Sequence, residues 1–184
     1  MRSENMVEHK LHMAVGKLID KTFNQPPSVE VVRDSACGGT QQIPLFLGEK
    51  GRGNVLTNVD LMILKENKIK VIVEIEESDL APLHICGKFL APLLCETYIH
   101  STKGNEKIGM DKAVMLIQIL NDAKLSEGTK KEEQGKKIEK AIINFIADQK
   151  FPIKKYNIIY GSEDSFTNGS TGNELIREIK DFLG

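Results

Sequence analysis

Residues 59–77 read VDLMILKENKIKVIVEIEE. Two aliphatic, β-branched runs (59–65 and 70–77) flank a polar break, which is the pattern of an antiparallel hairpin. The second run then leaves its apolar pattern, because Glu74, Glu76 and Glu77 follow directly on residues that read as core. Side chains alternate along a strand, so Glu74 and Glu76 share one face while Ile75 and Glu77 take the other. The loop length decides what meets that face. A three-residue loop, Glu66–Asn67–Lys68, sets Met62 opposite Ile72 and Asp60 opposite Glu74, whereas a two-residue loop sets Asp60 beside Val73. With the odd loop, directly opposed Cβ atoms lie roughly 4.5–5.5 Å apart, and Asp60, Glu74 and Glu76 converge at one end of the hairpin.

Three carboxylates that close are costly unless one is protonated or a cation neutralises them. Hard oxygen donors in that number suit Mg²⁺, with Mn²⁺ as a possible substitute. Such an ion activates water and stabilises charge on a phosphate undergoing displacement. Spacing alone supports an equally plain alternative, a strand that leaves the core and ends in solvated charge.

Outward from the hairpin, residues 3–23 place Met6, Leu11, Val15, Leu18 and Ile19 on one side of a helix that Pro26 and Pro27 end. Residues 28–34 read as a strand, 37–54 as a long polar loop, and 81–100 as a helix with a kink at Pro92 or a late start near Ile85. The apolar run 111–120 suits a central strand. Residues 127–149 read as an amphipathic helix with Ile138, Ala141, Ile142, Phe145 and Ile146 inward. A strand (155–161), a polar loop (162–172) and a helix (173–183) close the chain. The order implies a single domain, residues 1–184, of α/β class: a mixed β-sheet of about five strands flanked by helices.

With 25 basic against 26 acidic residues the net charge is −1, which argues against tight independent binding to DNA, a role marked by basic excess. Cys37, Cys86 and Cys95 make an odd count with no CxxC pair. They read as reduced thiols, and the histidines show no zinc spacing with them. No apolar run approaches the roughly 20 residues a membrane span needs. A soluble, cytoplasmic protein is the expectation.

A helix, a three-strand meander with an acid on the second strand and acid-x-acid on the third, then a helix and a fourth strand: this order resembles the PD-(D/E)xK nuclease superfamily over residues 3 to about 120. VD at 59–60 matches its metal-binding Asp, and EIE at 74–76 its E-x-K position. The resemblance implies a Mg²⁺-dependent DNA endonuclease in which Asp60 and Glu74 ligate the metal with the Ile75 carbonyl, and Glu76 ligates or orients water. Glu76 stands where the family usually has Lys. Lys88, on the next helix, could supply the missing positive charge, with a snorkelling surface lysine as the plainer reading. Glu8 matches a position where some members add a further carboxylate. Size and the loop GGTQQIPLF (38–46) resemble the small subunit of a heterodimeric type IIS restriction endonuclease. That implies double-stranded DNA as substrate and a larger, DNA-recognising subunit as partner. A stand-alone nuclease and an inactive interaction module of the same fold are the alternatives.

Overall fold

A computed structural model describes residues 9–25, 27–78, 80–100, 103–125 and 129–184. Expectations at Met6 and Glu8 lie outside the described residues. Helix α1 (Lys10–Phe23) leads into β1 (Val29–Arg33), β2 (Pro44–Phe46), β3 (Val55–Asn58), β4 (Leu61–Lys65) and β5 (Lys68–Glu76). Then come α2 (Pro82–Leu94), β6 (Thr97–His100), β7 (Glu106–Leu120), α3 (Lys131–Ala147), β8 (Ile153–Tyr160), α4 (Glu163–Thr167) and α5 (Ser170–Leu183).

The class is α/β with helices on both faces of a mixed sheet, but the sheet has eight strands rather than about five. The five expected strands are the ones that make its main body, in the order β1-β4-β5-β7-β8. The first three pair antiparallel, and β5-β7 and β7-β8 pair parallel. The three unforeseen strands extend the other end of β7, which pairs β6, then β2, then β3. Residues 114–120 of β7 are buried between two parallel neighbours, which is why they are continuously apolar apart from Gln118.

The sheet separates two cores. On one side α2 and α3 cover Met62, Ile72, Leu116 and Tyr156, with Phe89, Leu93, Ile142 and Ile146 from the helices. On the other, Leu11, Val15 and Ile19 of α1 and Leu175 and Ile179 of α5 cover Ile63, Val71, Val73, Ile75 and Ile117. Helix α1 comes close enough at Gly16 that a Cβ there would stand 2.2 Å from the Cys37 carbonyl oxygen. Phe145, expected inward, is about half exposed.

Several expectations are corrected. The hairpin loop is Glu66–Asn67, two residues, both at positive φ (52° and 57°), as in a type I′ turn. Met62 nevertheless faces Ile72, because a bulge between Ile63 and Leu64 shifts the pairing by one residue at Lys70. Helix α2 starts at Pro82, where a proline lacks nothing the first turn needs, and not near Ile85. It ends at Leu94, and Thr97–His100, expected as helix, is β6: its threonine, tyrosine and isoleucine favour a strand. Segment 37–54 contains β2 and a 3₁₀ turn. Segment 162–172 holds α4, capped by Ser162, and the first turn of α5. Among the described residues no helix is long and apolar enough to cross a membrane.

Candidate functional site

The antiparallel register sets Leu61 opposite Val73, so Asp60, one residue before β4, comes to the level of Glu74. There Asp60 Oδ2 accepts the Ile75 N–H (2.6 Å), and its own carbonyl accepts the Asp34 N–H (2.9 Å). Glu74 shares the face of Ile72 and points under α2. Its side chain is 2% exposed. Glu76 lies at the strand end, where its Oε1 accepts the N–H and hydroxyl of Ser78 (3.0 and 3.1 Å). The three carboxylates foreseen from the sequence therefore reach one region, two on β5 and one at the mouth of β4.

What holds them together is Lys88. One turn and a half into α2, its Nζ lies 3.3 Å from Glu74 Oε2, 3.7 Å from Glu76 Oε2 and 3.8 Å from Asp60 Oδ2. It also donates to the Ile75 carbonyl at 3.0 Å. The side chain is only 31% exposed, so the geometry departs from that of a snorkelling surface lysine. The three groups expected to ligate a metal, Asp60, Glu74 and the Ile75 carbonyl, and Glu76, expected to ligate or orient water, are the four this ammonium touches.

The electrostatics follow. Burial pushes the Glu74 carboxyl up to about 8, against the opposing pull of Lys88, and neighbouring Asp60 raises it further. Burial likewise raises Asp60, with Lys88 and the Ile75 N–H working the other way. For Lys88 burial works to lower the pKa, but Glu74, Asp60 and Glu76 together outweigh it and the ammonium is held above its usual value. The cluster keeps a lysine charged and prefers to keep a proton among its acids.

Two buried oxygens in this region accept no hydrogen bond: Glu74 Oε1 and Gln118 Oε1. Gln118 pairs with Glu74 across the parallel strands and donates through Nε2 to the Ile85 carbonyl (2.9 Å). Both line a narrow cleft with Glu76, His84, Ile85, Lys88 and Leu120. A buried, unsatisfied carboxylate oxygen is expensive to leave so. An all-oxygen donor set with one such orphan fits a hard divalent cation.

The opposite face of β5 carries a partner that sequence spacing missed. Glu77 follows the parity of Val73 and Ile75 and reaches α1, where its Oε1 accepts the His12 backbone N–H (3.1 Å) and lies 2.6 Å from His12 Nδ1. An ionised carboxylate only accepts, so this contact is a hydrogen bond when Nδ1 carries the proton. His12 Nε2 then faces Asp60 Oδ2 at 3.8 Å. The readable signal was the pair His9 and His12 at the start of the first helical pattern.

Cys37 and Cys95 are buried free thiols and Cys86 an exposed one. No family model matches the chain, and neither a curated protein nor a solved structure matches it.

Proposed function

We propose that the chain is a divalent-cation-dependent phosphodiester hydrolase, a Mg²⁺-dependent DNA endonuclease whose working centre is Asp60, Glu74, Glu76 and Lys88. The observation that carries this reading is the buried, unpartnered Glu74 Oε1 beside two further carboxylates and a lysine. The element order around it, with acids on adjoining strands and β5-α2-β7 as a parallel crossover, supports the resemblance to the PD-(D/E)xK superfamily.

Asp60 and Glu74 would hold the ion, with the Ile75 carbonyl free to join once Lys88 turns from it. When bound, Mg²⁺ supplies charge neutralisation on the scissile phosphate and a water of lowered pKa. Lys88 keeps an ammonium at the mouth of the cleft, where negative charge builds on the phosphate as water attacks. It thereby supplies the charge that Glu76 does not. Glu76, fixed by Ser78, orients water. Hydrolysis of one phosphodiester bond leaves a phosphate on one product and a hydroxyl on the other.

The narrower reading, a small subunit cutting one strand while a larger subunit recognises double-stranded DNA and cuts the other, is supported by the net charge of −1. It is supported also by the exposed leucines Leu83, Leu90 and Leu94 of α2, a stripe of the kind subunit interfaces cover. The second reading, an inactive interaction module, has one observation in its favour: the Lys88 ammonium contacts all three carboxylates and offsets part of the charge that a metal would.

The test is strand nicking of supercoiled DNA with Mg²⁺, by the chain alone and with any larger nuclease subunit encoded beside it. Cleavage that Asp60→Ala and Glu74→Ala abolish without altering the circular dichroism spectrum supports the nuclease. Undiminished cutting by either variant overturns the site, and absence of both cleavage and Mg²⁺ or Mn²⁺ binding favours the module.

A further inference from the structure

Behind the carboxylate cluster, on the α1 side of the sheet, lies a second set of donors that the proposed hydrolysis does not use. One donor atom each from His9, His12 and Glu77 falls within 4.8 Å of the others. We propose that His9, His12 and Glu77 form a separate cation site that takes a borderline divalent transition ion of the Zn²⁺ class.

The donor chemistry selects the ion. Two imidazole nitrogens and one carboxylate oxygen are a set that Zn²⁺ and its neighbours take readily, leaving a fourth position for water, whereas Mg²⁺ prefers oxygens throughout. The placement is built by three features. His9 is the N-cap of α1 and His12 lies in its first turn, and their rings stand edge to face with centroids 5.1 Å apart. His12 is 7% exposed, so its ring is held by packing before any ion arrives, while exposed His9 leaves the third side open to solvent. Glu77 comes from 65 residues away and is already aimed at His12 through that residue's backbone N–H.

Zinc ligands at about 2.0–2.1 Å in a tetrahedron stand about 3.3 Å from one another. The His12 Nδ1–Glu77 Oε1 pair, now 2.6 Å apart, must open by about 0.7 Å and give up its proton. The adjustment is within side-chain reach. The helix N-terminus opposes a cation here, a surface-scale effect that the Glu77 charge offsets. A bound ion would tie α1 to the exit of β5 and stand close to Asp60, which lies 3.8 Å from His12 Nε2. The site does not depend on the nuclease reading, since none of its donors belongs to that centre.

The test uses the full chain stripped of metal, titrated with ZnCl₂ by calorimetry and followed by thermal melting, with MgCl₂ as the hard-ion control. The expected result is one Zn²⁺ per chain and a raised melting temperature. His9→Ala and Glu77→Gln should each weaken Zn²⁺ binding tenfold or more, while Cys86→Ser, at an exposed thiol on the other side of the sheet, changes it less than tenfold. His9 is exposed, so its variant folds whatever the fate of the others. No Zn²⁺ binding, binding unchanged in both His9→Ala and Glu77→Gln, or a loss of tenfold or more in Cys86→Ser would overturn the site.

Discussion

Lys88 Nζ stands 3.3 Å from Glu74 Oε2, the helix and the strand meeting through one ion pair under which three carboxylates gather. Replacing the lysine by methionine keeps the stem's packing and removes the charge. Removing one partner of a buried pair costs about 3–5 kcal/mol. With Lys88 partly exposed and Glu74 able to take a proton, about 1–2 kcal/mol is the expected loss at neutral pH. Activity should fall about 10²–10³-fold, the loss typical of a single charge-stabilising donor. Mg²⁺ should raise the melting temperature of Lys88→Met more than that of the wild type, because the ion takes over the missing charge. Nicking assays and melts with and without Mg²⁺ read both. A fully active Lys88→Met would refute the role.

Glu74 makes stability depend on pH. Its carboxyl is lifted by burial from 4.5 to about 8, so between those values the folded chain keeps a proton that the unfolded chain releases. Stability is therefore full below about pH 4.5 and declines as pH rises through 8, at up to about 1.4 kcal/mol per unit. Glu74→Gln removes the titration. Urea midpoints at pH 5, 7 and 9 should show a flatter profile for the variant, crossing above the wild type at the alkaline end. Raised Asp60 leaves some residual slope of the same sign. Parallel profiles for the two proteins would mean that Glu74 does not carry the proton.

The main sheet was legible because its strands announce themselves: two aliphatic runs around a polar break, and an apolar run with only Gln118 inside it. The edge strands were not. Pro44–Phe46 and Val55–Asn58 are short, and Thr97–His100 follows a helical pattern that the chain abandons at Cys95. Asp60, Glu74 and Glu76 were placed together by parity, yet through a loop one residue too long. The bulge at Lys70 cancels that error, and no local signal marks a bulge on a strand with β-branched neighbours on both sides. Lys88 could be suspected but not placed, since its reach depends on how α2 lies across β5. Glu77 and His12 meet across 65 residues, a distance at which pattern carries no information.

The turn itself can be tested. Glu66 and Asn67 both sit at positive φ, a conformation that asparagine and glycine adopt at least cost and glutamate does not. Glu66→Asn should therefore stabilise the chain by about 0.5 kcal/mol, seen as a higher urea midpoint at unchanged slope. In a three-residue loop the same change would give no such gain, so the measurement also decides the loop length.

Glu76 is the position at which the chain departs from the pattern it resembles, and a charge swap asks what the departure does. Glu76 Oε2 is 3.7 Å from Lys88 Nζ, close enough that a lysine built at 76 would crowd the existing ammonium. Glu76→Lys alone should lower Mg²⁺ affinity and activity, since two cations then compete with the metal for Asp60 and Glu74. If Lys88 stands in for the lysine at 76, then Glu76→Lys combined with Lys88→Met puts one ammonium back in the cluster. The double variant should recover at least tenfold of the activity that Lys88→Met loses, a coupling that two independent sites would not show. Single-turnover nicking rates of the four proteins complete the cycle. If the double variant is no faster than Lys88→Met, the ammonium is tied to its place on α2 and Glu76 has a task of its own, held by Ser78, that a lysine cannot perform.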